Sequence, residues 1–103
     1  VRSRGLGDVY KRQILMKSFI FSLTKQDVLP DEMIFYNDGV KITTTKSETL
    51  VDLKYLADNG VEIVSCGTCL DFFHLKEELQ VGSVTNMYDI VERMEKADKI
   101  IKP

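Results

Sequence analysis

The stretch Val64-Ser65-Cys66-Gly67-Thr68-Cys69-Leu70 holds both cysteines of this 103-residue chain. Two thiols three positions apart can close a disulfide, supply half of a metal site, switch redox state or carry a transferable sulfur. Zinc as a rule takes four protein ligands. The chain has one histidine, His74, and no second cysteine pair, so no resident metal or other cofactor is expected. No histidine and acid stand at the spacing of a nucleophilic triad, and His74 reads as a helix-ending surface residue. Buried free cysteines are also common as inert core residues. Small polar neighbours such as Gly67 and Thr68 argue for more than packing.

Position adds to the case. Val61 to Cys66 reads as a buried strand, and Gly67 to Leu79 as a short helix with a second turn after it. In open α/β sheets, ligands bind outside the carboxyl ends of the strands. Three polar clusters fall at such ends: Asn37-Asp38-Gly39, Ser65 to Cys69, and Thr85-Asn86. The candidate catalytic residues are Cys66 and Cys69. The candidate substrate contacts are Asn37, Gly39, Gly67, Thr68 and Asn86, with Asn86 first a helix cap. Cys66 is expected at the strand tip, where backbone amides and the helix dipole favour a thiolate. It should be the more reactive thiol, with Cys69 one turn in and less exposed. Gly67 would let amides approach a bound group, and Thr68 could cap the helix. A thioredoxin-type motif follows the first strand of its fold, and this one follows a later strand, so that analogy is poor.

The elements that must hold these residues alternate. Apolar residues from Ile14 to Leu23 cover most of a helix circumference, which predicts a buried helix that Pro30 terminates. Met33 to Asn37 is a short apolar strand. A polar loop follows, with Gly39 suited to a turn of positive φ. Ser47 is expected to cap a helix over residues 48–58, with the stripe Leu50, Leu53, Leu56 and Ala57 inward and Asn59-Gly60 as its end. Residues 80–85 form a further strand. Asn86 caps a helix whose Met87, Ile90, Val91 and Met94 face inward. Residues 98–103 end the chain as a fourth short strand. Strands alternating with helices mean an α/β domain of three layers, α/β/α, around a mainly parallel sheet of about four strands. Asp71, Lys76, Glu77 and Glu78 read as a solvated face, and Tyr36, Tyr55 and Tyr88 as packing residues with wet hydroxyls.

Composition excludes several classes. The apolar share of 44% with 29% charged residues fits one soluble globular domain. The net charge of −2 and the lack of a basic stripe give a nucleic-acid partner no support. Apolar runs are short and interrupted, so no membrane partner is expected. Two cysteines are too few for a disulfide-stapled secreted scaffold, and cytoplasm is the expected compartment. Residues 1–13 carry four cations against one acid, while the remainder holds ten cations and fifteen acids. This opening reads as a disordered or non-native extension whose last residues join the following helix, leaving 14–103 as the domain. An unpaired sheet edge and the surplus apolar helix predict a homo-oligomer.

The segments FYNDGVKITT (35–44), VEIVSCGTCLDFF (61–73) and VGSVTNMYDIVERM (81–94) resemble the C-terminal, DsrE-like domain of the YedF selenium-metabolism family, within the DsrE/DsrF-like sulfur-relay group. The resemblance runs from about Ile14 to Pro103. It implies the same three-layer fold, commonly oligomeric, and a role passing sulfur or selenium as a cysteine persulfide or selenosulfide between donor and acceptor proteins. It places the acceptor at a strand end, eight residues before a glycine-plus-aliphatic pair, which Cys66 with His74-Leu75 matches better than Cys69. The family's first strand is not recognisable here, and His74 stands where glycine is usual. A TusA-like domain that often precedes this one is also not in the sequence, which makes a separate TusA-like protein a candidate donor. A non-catalytic interaction module and a redox-switch dithiol protein are the competing readings.

Overall fold

A computed structural model describes residues 6–45 and 47–103, with side chains from residue 13 onward. The expectation for residues 1–5 lies outside them. The first helix, α1 (Leu6–Thr24), runs through residues 6–13 without a break. Its expected burial is only partly met. Met16, Phe19, Ile20 and Leu23, spaced as one helical stripe, pack toward the core. Ile14, Leu15 and Phe21 are about half exposed. A helix lying on a sheet offers it one stripe, and the remaining apolar residues have nothing beneath them.

Among the described residues three strands, not four, form the sheet: β1 (Glu32–Phe35), β2 (Glu62–Cys66) and β3 (Ser83–Thr85). They are parallel in the order β1-β2-β3, with Phe35 opposite Ser65 and Cys66 opposite Thr85. Residues 98–103 take no strand conformation, and Ile100 and Ile101 remain exposed. The third strand starts later than its apolar pattern suggests. The Gln80 N–H donates to the Thr43 carbonyl at 2.9 Å, and Leu79 bridges Thr44. Only after Gly82, at φ +78°, does the chain turn onto β2.

Side-chain alternation sorts the residues into layers. Met33, Phe35 and Ile63 face one side, where Ile20 of α1 and Leu53 and Leu56 of α2 (Leu50–Asp58) complete the core with Val61 and Leu70. Each such fully buried side chain contributes about 1.5–3 kcal/mol. Glu32, Glu62, Val64 and Cys66 face the other side, which α4 (Met87–Lys96) covers. This is the expected three-layer architecture. In α2 the cap residue is Thr49 rather than Ser47, whose hydroxyl instead accepts the Thr49 N–H at 3.1 Å. Asn59-Gly60 closes the helix as expected, with Gly60 at φ +96°. Asn86 caps α4 by accepting the Asp89 N–H at 2.9 Å. Ile90 is buried there, but Met87 and Val91 are nearly half exposed, because the sheet beneath α4 is only three strands wide. Tyr88 is likewise exposed rather than packed.

Glu32 and Glu62 are paired neighbours on adjacent strands, an arrangement that repels. Arg93 of α4 resolves it by bonding Glu32, Glu62 and Asp89 at once. The Asp89 carboxyl lies below its usual range, held there by the Thr85 hydroxyl and then by Arg93; Glu62 is lowered by Arg93. Depressed carboxyls stabilise the fold above their unfolded values near pH 4, and that contribution is lost as pH falls through the folded values. Arg93→Met is therefore expected to lower the stability of the domain at neutral pH. It should also flatten the loss of stability below about pH 4. Urea titrations at several pH values check this, and an unchanged acid profile in Arg93→Met would contradict it.

Candidate functional site: a dithiol at the carboxyl end of the sheet

Cys66 is the last residue of β2 and the residue preceding α3 (Gly67–Phe72). The two thiols lie side by side, but their exposure is the reverse of the expected order. Cys66 is 1% exposed, while Cys69 is half-buried. The alternation of β2 explains the reversal. Cys66 shares the face of Val64 beneath α4, opposite Thr85, whose hydroxyl donates to Asp89. Cys69 sits at the margin of the main core, against a 3-10 turn over Asn37–Thr43.

That turn supplies the most specific contact of the site. The Asn37 backbone N–H donates to the Cys69 sulfur at 3.1 Å. Asn37 takes the left-handed conformation, φ 55°, which asparagine tolerates better than most residues. The turn, read as a loop from sequence, is anchored from below. Thr43 donates its hydroxyl proton to the Val40 carbonyl at 2.9 Å. Its oxygen is thus left to accept from the Ser65 hydroxyl, also at 2.9 Å. Both hydroxyls are fully buried. The signal for this pair was a lone serine inside the apolar run of β2, since a buried polar group needs a partner.

Of the residues expected at the site, Asn37, Cys66 and Cys69 are brought together. Gly67 is the close-packed residue between them: a Cβ there would lie 3.0 Å from the Val84 side chain and 3.2 Å from the Thr85 carbonyl. Its small size serves the approach of α3 to β3. Gly39 is not at positive φ; the left-handed residue of that turn is Asn37, and a Cβ on Gly39 would meet open space. Thr68 is exposed and α3 has no side-chain cap. Among the described residues no hydrogen bond joins Gly39, Thr68 or Asn86 to either sulfur, and Asn86 is engaged in capping α4. His74, at φ 57°, ends the turn after α3 in the left-handed region, as a residue in a glycine position must. No group of three or more histidine, cysteine or acidic residues could hold a metal ion among the described residues. None of their helices is long and apolar enough to cross a membrane.

Burial pushes the Cys69 thiol above its usual range; the Asn37 amide pulls the other way, and the neighbouring Cys66 raises it further. The raised value favours the protonated thiol at neutral pH. Its alkylation by iodoacetamide should be slower at pH 7 than that of a free thiol, for which the pKa is about 8.5, and should keep rising beyond that value. A rate plateau below pH 8.5 would contradict this.

Residues 15–103 match the DsrE/DsrF-like family. The fold is similar to that of a protein of unknown function, MTH1491, from Methanobacterium thermoautotrophicum. The TM-score is 0.70 at 23% identity, covering 91% of this chain and 89% of that one. No curated protein matches the chain.

Proposed function

The chain belongs to the DsrE/DsrF-like family, which is associated with sulfur relay, and on that premise we propose that it carries sulfane sulfur as a persulfide on the Cys66–Cys69 pair. The observation that carries the reading is the Asn37 N–H on the sulfur of Cys69, beside a second thiol at the carboxyl end of the sheet. A backbone donor aimed at sulfur suits a group that alternates between thiol, thiolate and anionic persulfide.

Exposure suggests an order of events. Cys69, the accessible thiol, is the one a donor protein meets. As thiolate it attacks the outer sulfur of the donor's persulfide; the new S–S bond forms as the donor's breaks, and the donor leaves as a thiolate. Cys66 then attacks that outer sulfur as it gives up its proton, and Cys69 departs as a thiolate toward the Asn37 amide and takes that proton up. The sulfur ends on buried Cys66, the acceptor favoured by the resemblance to YedF. No net oxidation occurs in either step. An acceptor protein draws the sulfur off by the same exchange.

The YedF resemblance extends the proposal to selenium, to a TusA-like donor and to a cytoplasmic setting. Incubation with a persulfide donor or with selenite and thiol, followed by intact mass measurement, tests the reading. A stable gain of one sulfur or selenium supports it. Two inert thiols would favour an interaction module, and an internal disulfide with turnover a dithiol oxidoreductase.

The uncovered side of α1 supports self-association. Phe21 with Val51 and Tyr55 of α2 leaves an apolar surface that water meets in a single copy. Sedimentation is expected to show a dimer or larger species, and a monomer at high concentration would refute it.

A further inference from the structure

Asn37 combines two features. Its backbone is left-handed, and its N–H ends on sulfur rather than on a carbonyl. The N–H reaches from the end of β1 to the sulfur of Cys69 in α3, and the left-handed φ sets the course of the turn that follows it. The following Gly39 N–H closes the turn onto the Tyr36 carbonyl at 3.0 Å, and the Thr43–Ser65 pair ties the turn to β2. The donor is thus held in place from both ends before any sulfur arrives.

We propose that Asn37 is a positioning residue for the dithiol: the turn it opens in left-handed backbone holds one amide on Cys69 and so eases the ionisation of that sulfur at each transfer. The ligand class it serves is an anionic sulfur or selenium, as thiolate or persulfide, and the proposal rests on the relay reading for its purpose. The backbone, not the asparagine side chain, makes the contact, so the residue requirement is conformational. Glycine can replace asparagine at φ 55°, whereas alanine enters that region with difficulty. The charged or titratable groups on the elements around Cys69 are Cys66, Asp38 and Lys41 of the turn, and Asp71 of its own helix. Lys41 lies over the Phe73 ring at 4.5 Å, and Asp71 pairs with Lys76 at 3.2 Å.

Iodoacetamide labelling across pH, with the modified cysteine located by fragmentation, reads the effect without any sulfur donor. It therefore stands or falls apart from the relay itself. Asn37→Ala is expected to slow Cys69 alkylation at pH 8 by about threefold or more and to move the profile to higher pH, as loss of a hydrogen bond to a charged acceptor should. Asn37→Gly should keep the wild-type profile within about twofold. A folded Asn37→Ala protein with the wild-type profile overturns the proposal, as does an Asn37→Gly protein that loses as much as Asn37→Ala. The unaltered protein gives a second reading: the Asn37 amide proton resonance should titrate with Cys69. A shift that stays flat while Cys69 ionises overturns the proposal as well.

Discussion

Gly82→Ala is expected to destabilise the domain by about 2–4 kcal/mol, enough to depopulate a small domain's native state at moderate temperature. Two effects add. Gly82 sits at φ +78°, where a residue with a Cβ costs about 1–2 kcal/mol. The added Cβ would also fall 2.3 Å from the Ile63 carbonyl oxygen and 2.9 Å from its carbonyl carbon. These are backbone atoms of the central strand, so no side chain can rotate away. β3 or β2 must shift, at a cost of about 1–3 kcal/mol for forced overpacking. Gly39→Ala is the matched control: its φ is not positive and its Cβ meets nothing, so a change within about 0.5 kcal/mol is expected. Urea midpoints of the two variants check the pair. Equal stabilities would show that β3 does not approach Ile63 as described.

Cys69→Ser is expected to slow sulfur loading at least about tenfold, while Cys66→Ser loads at the wild-type rate but fails to keep the sulfur. The argument is exposure. With Cys69 gone, a donor must reach Cys66, which is 1% exposed beneath α4. Each ~1.4 kcal/mol needed for local opening costs a factor of about ten in rate. With Cys66 gone, sulfur remains on half-buried Cys69, where small thiols can strip it. Stopped loading reactions followed by mass measurement separate the two variants. Rapid loading of Cys66 in Cys69→Ser would contradict Cys69 as the receiving thiol and return that role to Cys66.

Much of this was legible in the sequence because it rests on local chemistry. The stripe of α2, the glycine that ends it and the asparagine cap of α4 are each set by residues within a turn of one another. The placement of CGTC at a strand end followed from the apolar run before it. What failed depended on partners distant in the chain. The start of β3 is set by Gln80 bonding to Thr43, a contact no periodicity reports. The exposure of the two cysteines depends on which sheet face α4 covers. The left-handed residue of the 37–43 turn is Asn37 and not the glycine two positions on; both residue types tolerate positive φ, so residue type alone did not choose between them. The excess of apolar residues on α1 was visible as surplus, but composition cannot say which of them the sheet will cover.

The most direct test of the central claim is fragmentation mass spectrometry of the wild-type chain after brief incubation with a protein persulfide donor and removal of that donor. The account predicts one added sulfur per chain, located on Cys66 within the CGTC segment and absent from the Cys66→Ser/Cys69→Ser double variant. A folded chain that gains no sulfur while both thiols still alkylate, or that gains sulfur only outside the CGTC segment, would contradict it.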